Sequence, residues 1–410
     1  MATFGILVGG GPAPGINGVI GSAAIHAARS GARVVGLLDG FKWLMQGDVG
    51  HTRELQPEDV AQIHLEGGSI LHTSRANPTK NEGDLERVVD SLDRLGIDHL
   101  VTIGGDDTSF SARRVAQTAA GRIRVVHVPK TIDNDLPLPP GVPTFGFETA
   151  REQAAHVVQA LAADCHTTHR WFFVIMMGRT AGHLALGAGL SGGAVVTVIP
   201  EEFPGDRIGI DALVRVVEGA IVKRLSQGRD DGVAVIAEGV AERFDPNDPI
   251  LKDAPRDEHG HVRLAEVPLG KVLRTAVGES LASRGVKIAL GEKDVGYELR
   301  CVPPTAFDRD YTRDLGVGSV RALLAGTSEA MITRQHSGIV AVPFEEIVDA
   351  ATGRTQVRQV DVRTDSYANA RALQVRIEPE DLSDPAKLAA IAEAAGLSPD
   401  EARARYGGLA

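Results

Sequence analysis

The chain has 410 residues, a formal charge of −11, a hydrophobic fraction of 43%, an aromatic fraction of 4% and 47 glycines. At about 150 residues per domain, that length predicts two to three domains with a large buried core. Two cysteines, Cys165 and Cys301, exclude a disulfide scaffold, no apolar run nears the roughly 20 residues of a membrane helix, and an acidic chain without a basic block suits duplex nucleic acid poorly. Apolar residues recur throughout, which excludes disorder. With no charged-apolar-small segment at the start, a reducing, cytoplasmic compartment is expected.

In chain order, residues 4–8 (FGILV) predict a strand and 17–29 a helix stopped by Gly31. Residues 33–38 predict a second strand, and Leu85, Val88, Val89 and Leu92 give helical spacing over 84–95 before Gly96. Further strands are predicted at 99–103, 123–128, 172–176, 194–199 and 233–237. Short apolar runs alternating with helices predict an α/β fold of two doubly wound, mainly parallel sheets, with a break near 140–150. Residues 241–263, rich in Pro and Asp, predict an exposed excursion, whereas 345–380 give no clear pattern. Ser398-Pro399-Asp400-Glu401 predicts a capping box with Pro at the first helical position, within a tail of small helices.

Gly, Pro and Asp gather at the carboxyl ends of the strands, where open α/β sheets bind ligands. The first such turn is Gly9-Gly10-Gly11-Pro12-Ala13-Pro14-Gly15-Ile16-Asn17. Its glycines let backbone amides approach a phosphate, and the helix that follows adds partial positive charge. Pro14 breaks the dinucleotide fingerprint, and Ile16-Asn17 replaces the Lys-Ser/Thr of a Walker loop. The second turn, Gly104-Gly105-Asp106-Asp107-Thr108, suits a carboxylate holding Mg²⁺ for phosphate; the plain alternative is an Asp N-cap. The third is Pro129-Lys130-Thr131-Ile132-Asp133-Asn134-Asp135. Read as extended chain, it puts Lys130, Ile132 and Asn134 on one face and Thr131, Asp133 and Asp135 on the other. Two carboxylates beside a hydroxyl suit a general base and a supporting acid.

Together with GGSILHTSR (67–75), MGRTAGH (177–183), AEG (237–239) and GYELR (296–300), these turns resemble the phosphofructokinase family over most of the chain. The resemblance implies an active site in the cleft between two domains. Residues 1–146 with about 303–340 would bind the phosphoryl donor, 147–302 the sugar phosphate, and 341–410 would be an extension packing on both. It implies that Asp133 is the base on the sugar 1-hydroxyl, that Asp135 supports it, that Thr131 holds the sugar, and that Asp106 positions Mg²⁺. Gly11 and Arg75 would contact the donor, beside Thr108. Met177, Gly178, Arg179 and Glu238 would surround the sugar phosphate, Arg179 also counting among the catalytic groups. Arg170 would reach the 6-phosphate across a subunit interface of a homodimer or homotetramer. Tyr297 stands where many relatives have His, and Arg300 matches a phosphate-binding arginine. Taken alone, Arg170 reads as a surface charge and Tyr297 as a half-buried aromatic.

Relatives that use ATP usually read GGDGS and PGTIDND. Here Asp107 would crowd and repel the α-phosphate of ATP, and Lys130 supplies a mobile cation for a smaller donor. Both departures resemble the pyrophosphate-dependent branch, which implies Mg²⁺-dependent, reversible phosphorylation of fructose 6-phosphate. Gly21, Ile25 and Val195 stand where allosteric relatives carry effector ligands, which implies a non-allosteric enzyme. Gly291 replaces a second cross-subunit arginine, with Lys287 and Lys293 nearby, so sedoheptulose 7-phosphate stays open as substrate. The alternatives are an ATP-dependent kinase, a catalytically dead sugar-phosphate sensor, and a dinucleotide oxidoreductase supported only by the fold and Asp39.

Overall fold

The central strands form where an apolar run is short enough to be buried on both faces. The computed structural model describes the chain except residues 204, 206, 246, 247, 253, 254, 256–261, 263, 337, 349–355, 409 and 410. The chain divides into two compact units, Met1–Ala150 with Tyr297–Arg358, and Arg151–Gly296 with Gln359–Ala410. Tyr297 and Arg300 thus belong with the first unit, and the C-terminal extension is divided between the two.

In the first unit, β1 (Thr3–Val8), β2 (Arg33–Leu37), β3 (Thr52–Glu54), β4 (His99–Gly104) and β5 (Arg124–Pro129) form the amino-terminal strands. In the second, β6 (Arg170–Met176), β7 (Val196–Val198), β8 (Gly232–Ala237) and β9 (Ala289–Val295) follow, and β10 (Ala330–Gln335) and β11 (Gly338–Pro343) return to the first. The first sheet has the order β11-β10-β5-β4-β1-β2-β3, parallel except for β3 and β11 at its edges. Side-chain alternation on β1 sends Phe4, Ile6 and Val8 to one hydrophobic cluster, with the helices Ile16–Arg29 and Ala306–Leu324. Leu7 goes to the other, with the helices Asp84–Arg94 and Asp106–Ala119. β1 is flanked by β2 and β4, so the strand order reverses between β1 and β4. That crevice is the usual ligand position of an open α/β sheet.

The second sheet, β7-β8-β6-β9, is wholly parallel. Residues 246, 247 and several others of the expected excursion at 241–263 lie outside the described residues. Those that are described correct it in part, because Phe244, Ile250 and Leu251 are buried in the core of the second unit. Their apolar bulk outweighs the Pro- and Asp-rich surroundings. The expected capping box forms: Ser398 Oγ accepts from the Glu401 amide at 3.3 Å, and Glu401 Oε2 accepts from the Ser398 amide at 2.8 Å.

The C-terminal helix Pro399–Tyr406 is fastened by a buried carboxylate. Glu218, fully buried on the helix Ile210–Leu225, accepts from Arg405 Nε at 2.6 Å, Arg405 Nη2 at 2.8 Å, Tyr406 Oη at 2.5 Å and Ser280 Oγ at 2.7 Å. Arg284 stands 2.7 Å away. Burial pushes the Glu218 carboxyl up, but hydrogen bonds from Arg405, Tyr406, Ser280 and Arg284 outweigh it and bring it down to about 2. The ordinary value is 4.5. A carboxyl depressed by folding stabilises fully above its ordinary value, and that contribution disappears as pH falls toward the folded one. Urea midpoints should therefore drop between pH 4.5 and 2, less steeply in Glu218→Gln. Arg405→Met should cost about 3 kcal/mol at neutral pH, the low end for a broken buried pair because Arg284 remains. A midpoint unmoved by Arg405→Met would contradict this assignment.

Candidate active site

The first turn is held from several sides. The Gly9 amide donates to the Ile103 carbonyl and the Gly10 amide to the Ser74 carbonyl, both at 2.9 Å. Thr73 Oγ1 donates to the Gly10 carbonyl at 2.7 Å. Asn17, buried at the start of the helix, accepts from the Ile70 amide at 2.9 Å, so the segment ending in exposed Arg75 is fixed against the same turn. Lys130, only 5% exposed, donates its ammonium to the Gly11 carbonyl. The Arg300 guanidinium lies 3.5 Å from where a Gly11 Cβ would stand, and stacks 4.8 Å over the ring of Tyr297. Gly11, Lys130 and Arg300 are therefore brought together. Tyr297 is 58% exposed, contrary to the half-buried aromatic that its residue type alone suggests.

The second turn starts the helix Asp106–Ala119. Gly105 is the N-cap, so neither aspartate caps the helix, and Asp106 and Asp107 occupy its first turn, where carboxylates favour the dipole. Asp107 is exposed and Asp106 partly so. Thr108 is buried: a Cβ would lie 2.5 Å from its Oγ1 at Gly9 and 2.3 Å from its Cβ at Gly104. Its hydroxyl thus fills the gap between the two turns. The Lys130 amide donates to the Gly104 carbonyl at 2.7 Å, which joins the third turn to the second.

The third turn departs from the expected extended alternation. The Asp133 amide donates to Thr131 Oγ1 at 3.0 Å, and Asn134 takes a positive φ of 58°. A threonine hydroxyl accepting from the residue two ahead curls the backbone into a turn, so side chains no longer alternate between two faces. The Thr131 carbonyl accepts from Thr144 Oγ1 at 2.7 Å, and Asn134 Oδ1 accepts from the Thr144 amide at 3.0 Å. Asp133 is 6% exposed, and its Oδ1 is buried without a hydrogen-bond partner. A buried carboxylate oxygen without a donor is costly, and such oxygens mark functional positions. Asp135, in the same turn, is half-buried.

In the second unit, Glu238 is buried at the end of β8. Its Oε1 accepts from the amides of Gly178 at 3.0 Å and Arg179 at 2.9 Å. This fixes the turn after β6, where Arg179 holds a positive φ of 52° and an exposed side chain. Left-handed backbone at a non-glycine residue costs about 1–3 kcal/mol and concentrates at functional sites. Met177, buried, donates its amide to the Val295 carbonyl at 3.0 Å. Arg170 is not brought to this turn: it stands at the first residue of β6, about 20 Å away at the strand rise. There its Nε donates to Thr168 Oγ1 at 2.6 Å. Gly291 pairs with Phe172, and a Cβ on it would meet the ring at 2.7 Å, so ring packing forbids a long side chain there.

His127 carries no sequence signal beyond being one polar residue in an apolar run. It is fully buried on β5; its Nε2–H donates to the Gly104 carbonyl at 3.0 Å, and Nδ1 accepts from Thr102 Oγ1 at 2.8 Å. Burial, and then the nearby Lys130 charge, push its pKa down to about 3, so the neutral ring braces the second turn.

Comparison with known proteins finds one family. A family model described as Phosphofructokinase matches residues 3–323. A Thermotoga maritima protein named pyrophosphate--fructose 6-phosphate 1-phosphotransferase is 51% identical, over 98% of this chain and 97% of its own. One of the same name from Naegleria fowleri is 48% identical over 98% and 94%. A solved structure of pyrophosphate-dependent phosphofructokinase from Nitrosospira multiformis superposes with a TM-score of 0.69 at 17% identity, covering 92% of each chain.

The Thr108 wedge can be tested directly. Gly9→Ala should cost about 1–3 kcal/mol by overpacking. Adding Thr108→Ala removes the atom at 2.5 Å and should recover most of that loss. Denaturation midpoints of the two single variants and the double give the coupling; strictly additive losses would rule the wedge out.

Proposed function

The chain is a member of the phosphofructokinase family, and on that premise we propose that it transfers a phosphoryl group from pyrophosphate to the 1-hydroxyl of fructose 6-phosphate, giving fructose 1,6-bisphosphate and phosphate. The observation that carries the donor assignment is the Lys130 ammonium held on the Gly11 carbonyl of the phosphate turn, with Asp107 at the helix start beyond it. Pyrophosphate has no ribose or base to grip, so glycine amides and close cations must hold it. Phosphoryl transfer asks mainly for alignment and charge neutralisation, which Gly11, Lys130 and Arg75 supply.

Asp133 Oδ1 takes the proton of the 1-hydroxyl, whose oxygen bonds to the terminal phosphorus as the bridging P–O bond breaks. Orthophosphate leaves with the electron pair. The phosphoanhydride and the ester differ little enough for the step to run in both directions. Asp135 supports the base, and Thr131 holds the sugar. Met177, Gly178, Arg179, Glu238, Tyr297 and Arg300 contact the sugar phosphate, with Arg179 also facing the group in transfer. Arg170 serves the 6-phosphate of a neighbouring copy, so the enzyme is a homo-oligomer, and no effector site regulates it. The donor domain comprises the first unit and the sugar-phosphate domain the second. Two free cysteines, Cys165 and Cys301, suit a cytoplasmic enzyme.

Mg²⁺ usually binds through one or two carboxylates plus substrate phosphates. The donor set fits that mode, because the Asp106 carboxylate stands at the helix start beside the phosphate turn. When bound, the ion neutralises charge on the donor phosphates, and Asp106 would hold it.

Initial rates with pyrophosphate and with ATP at equal Mg²⁺, each with fructose 6-phosphate and with sedoheptulose 7-phosphate, test the reading. Pyrophosphate with fructose 6-phosphate should give the fastest turnover; turnover from ATP alone overturns it. Asp133→Ala should lower kcat by about 10²–10⁴-fold while sugar binding persists. Asp107→Gly with Lys130→Gly should admit ATP.

A further inference from the structure

The turn carrying the base is completed from a distant part of the chain. Residues 130–145 form a loop closed at its base by the Lys130–Phe145 bridge and by Thr144 Oγ1 on the Thr131 carbonyl. Its far side is filled by Arg358, which lies 224 residues beyond Asn134. Arg358 Nε donates to the Asn134 carbonyl at 3.0 Å, and Nη1 to the carbonyls of Val142 at 2.8 Å and Leu138 at 3.4 Å. Nη2 donates to Asn134 Oδ1. The Arg358 amide donates to the Asp135 carbonyl at 2.7 Å. All three guanidinium nitrogens are thus committed to oxygens of one loop.

We propose that Arg358 is a positioning residue: its planar fork holds Asn134 in its left-handed conformation and thereby aims Asp133 and Asp135. Asn134 separates the two carboxylates, and its φ of 58° sets the direction in which the chain leaves Asp133. The same Asn134 Oδ1 meets both Arg358 and the Thr144 amide, so one side chain ties both sides of the loop. Without Arg358 the carbonyls of Asn134, Leu138 and Val142 lose a charged donor together. Lysine cannot replace it, because a single ammonium does not span the four oxygens that the guanidinium meets. The Asp135 carboxylate adds favourable charge interaction with the guanidinium.

The catalytic part of this inference rests on Asp133 acting as the base. Two variants, Arg358→Ala and Arg358→Lys, are compared with the whole chain on two readouts. The first needs no turnover: hydrogen exchange of a peptide spanning Ile132–Val142 should speed up at least tenfold in both variants, while a peptide from β4 stays unchanged. Equal exchange in the loop overturns the proposal; should Arg358→Ala not fold, Arg358→Lys decides. The second is steady-state turnover with pyrophosphate and fructose 6-phosphate. There kcat should fall about 10- to 100-fold in both variants, as for a misaimed reacting group, with both KM values within about threefold. Millimolar guanidinium should restore part of the Arg358→Ala rate. A raised KM at unchanged kcat, or full activity in Arg358→Lys, overturns the positioning role. A wild-type chain inactive with pyrophosphate would refute the functional reading instead, and the exchange readout would then decide on Arg358 alone.

Discussion

Thr108 stands where two glycines leave no room for anything else, and the arrangement at the carboxyl ends of β1, β4 and β5 depends on it. With a Cβ at either Gly9 or Gly104, the first two turns would separate. Lys130 would then lose its amide contact on Gly104 or its ammonium contact on Gly11. The glycines serve less as flexible hinges than as vacated volume. The parallel sheet explains why the vacancy falls there: strands whose order reverses between β1 and β4 splay their following loops to opposite sides, and a crevice opens between them.

Around that crevice the chain places its charges with different degrees of freedom. Lys130 is buried and tethered, Arg300 is half-buried and stacked on Tyr297, and Arg75 is exposed. Cations held before a phosphate arrives need little reorganisation when it does, which is how preorganised electrostatics act. A formal charge of −11 describes the exterior and conceals this local reversal of sign.

Local features were the legible ones. The first strand, the helix after the glycine turn and the Ser398 capping box depend on residues within one turn of each other, so composition and spacing reveal them. The motif spellings brought the same three turns to notice for the same reason. The third turn misled, because alternating polar residues imitate a strand while one hydroxyl, Thr131 Oγ1, bends the backbone. β9 (ALGEKDV) hid for the opposite reason: a strand pairing only at one side tolerates charge on its open face and shows no apolar run. His127 and Arg358 escaped because each is fixed largely on backbone carbonyl oxygens, which leave no mark in the sequence.

The Glu218 cluster has a consequence for the order of events at synthesis. Glu218 is made 187 residues before Arg405. At about 5–20 residues per second, the ribosome needs roughly 10–40 s to supply Arg405, and until then Arg284 is the cation available to the carboxylate. Throughout that interval Glu218, on the helix Ile210–Leu225, lacks the two-nitrogen contact of Arg405 and the hydroxyl of Tyr406. The second unit therefore completes this buried cluster only when the last helix is made, and a chain truncated before Arg405 would leave Glu218 with Arg284 and Ser280 as its partners.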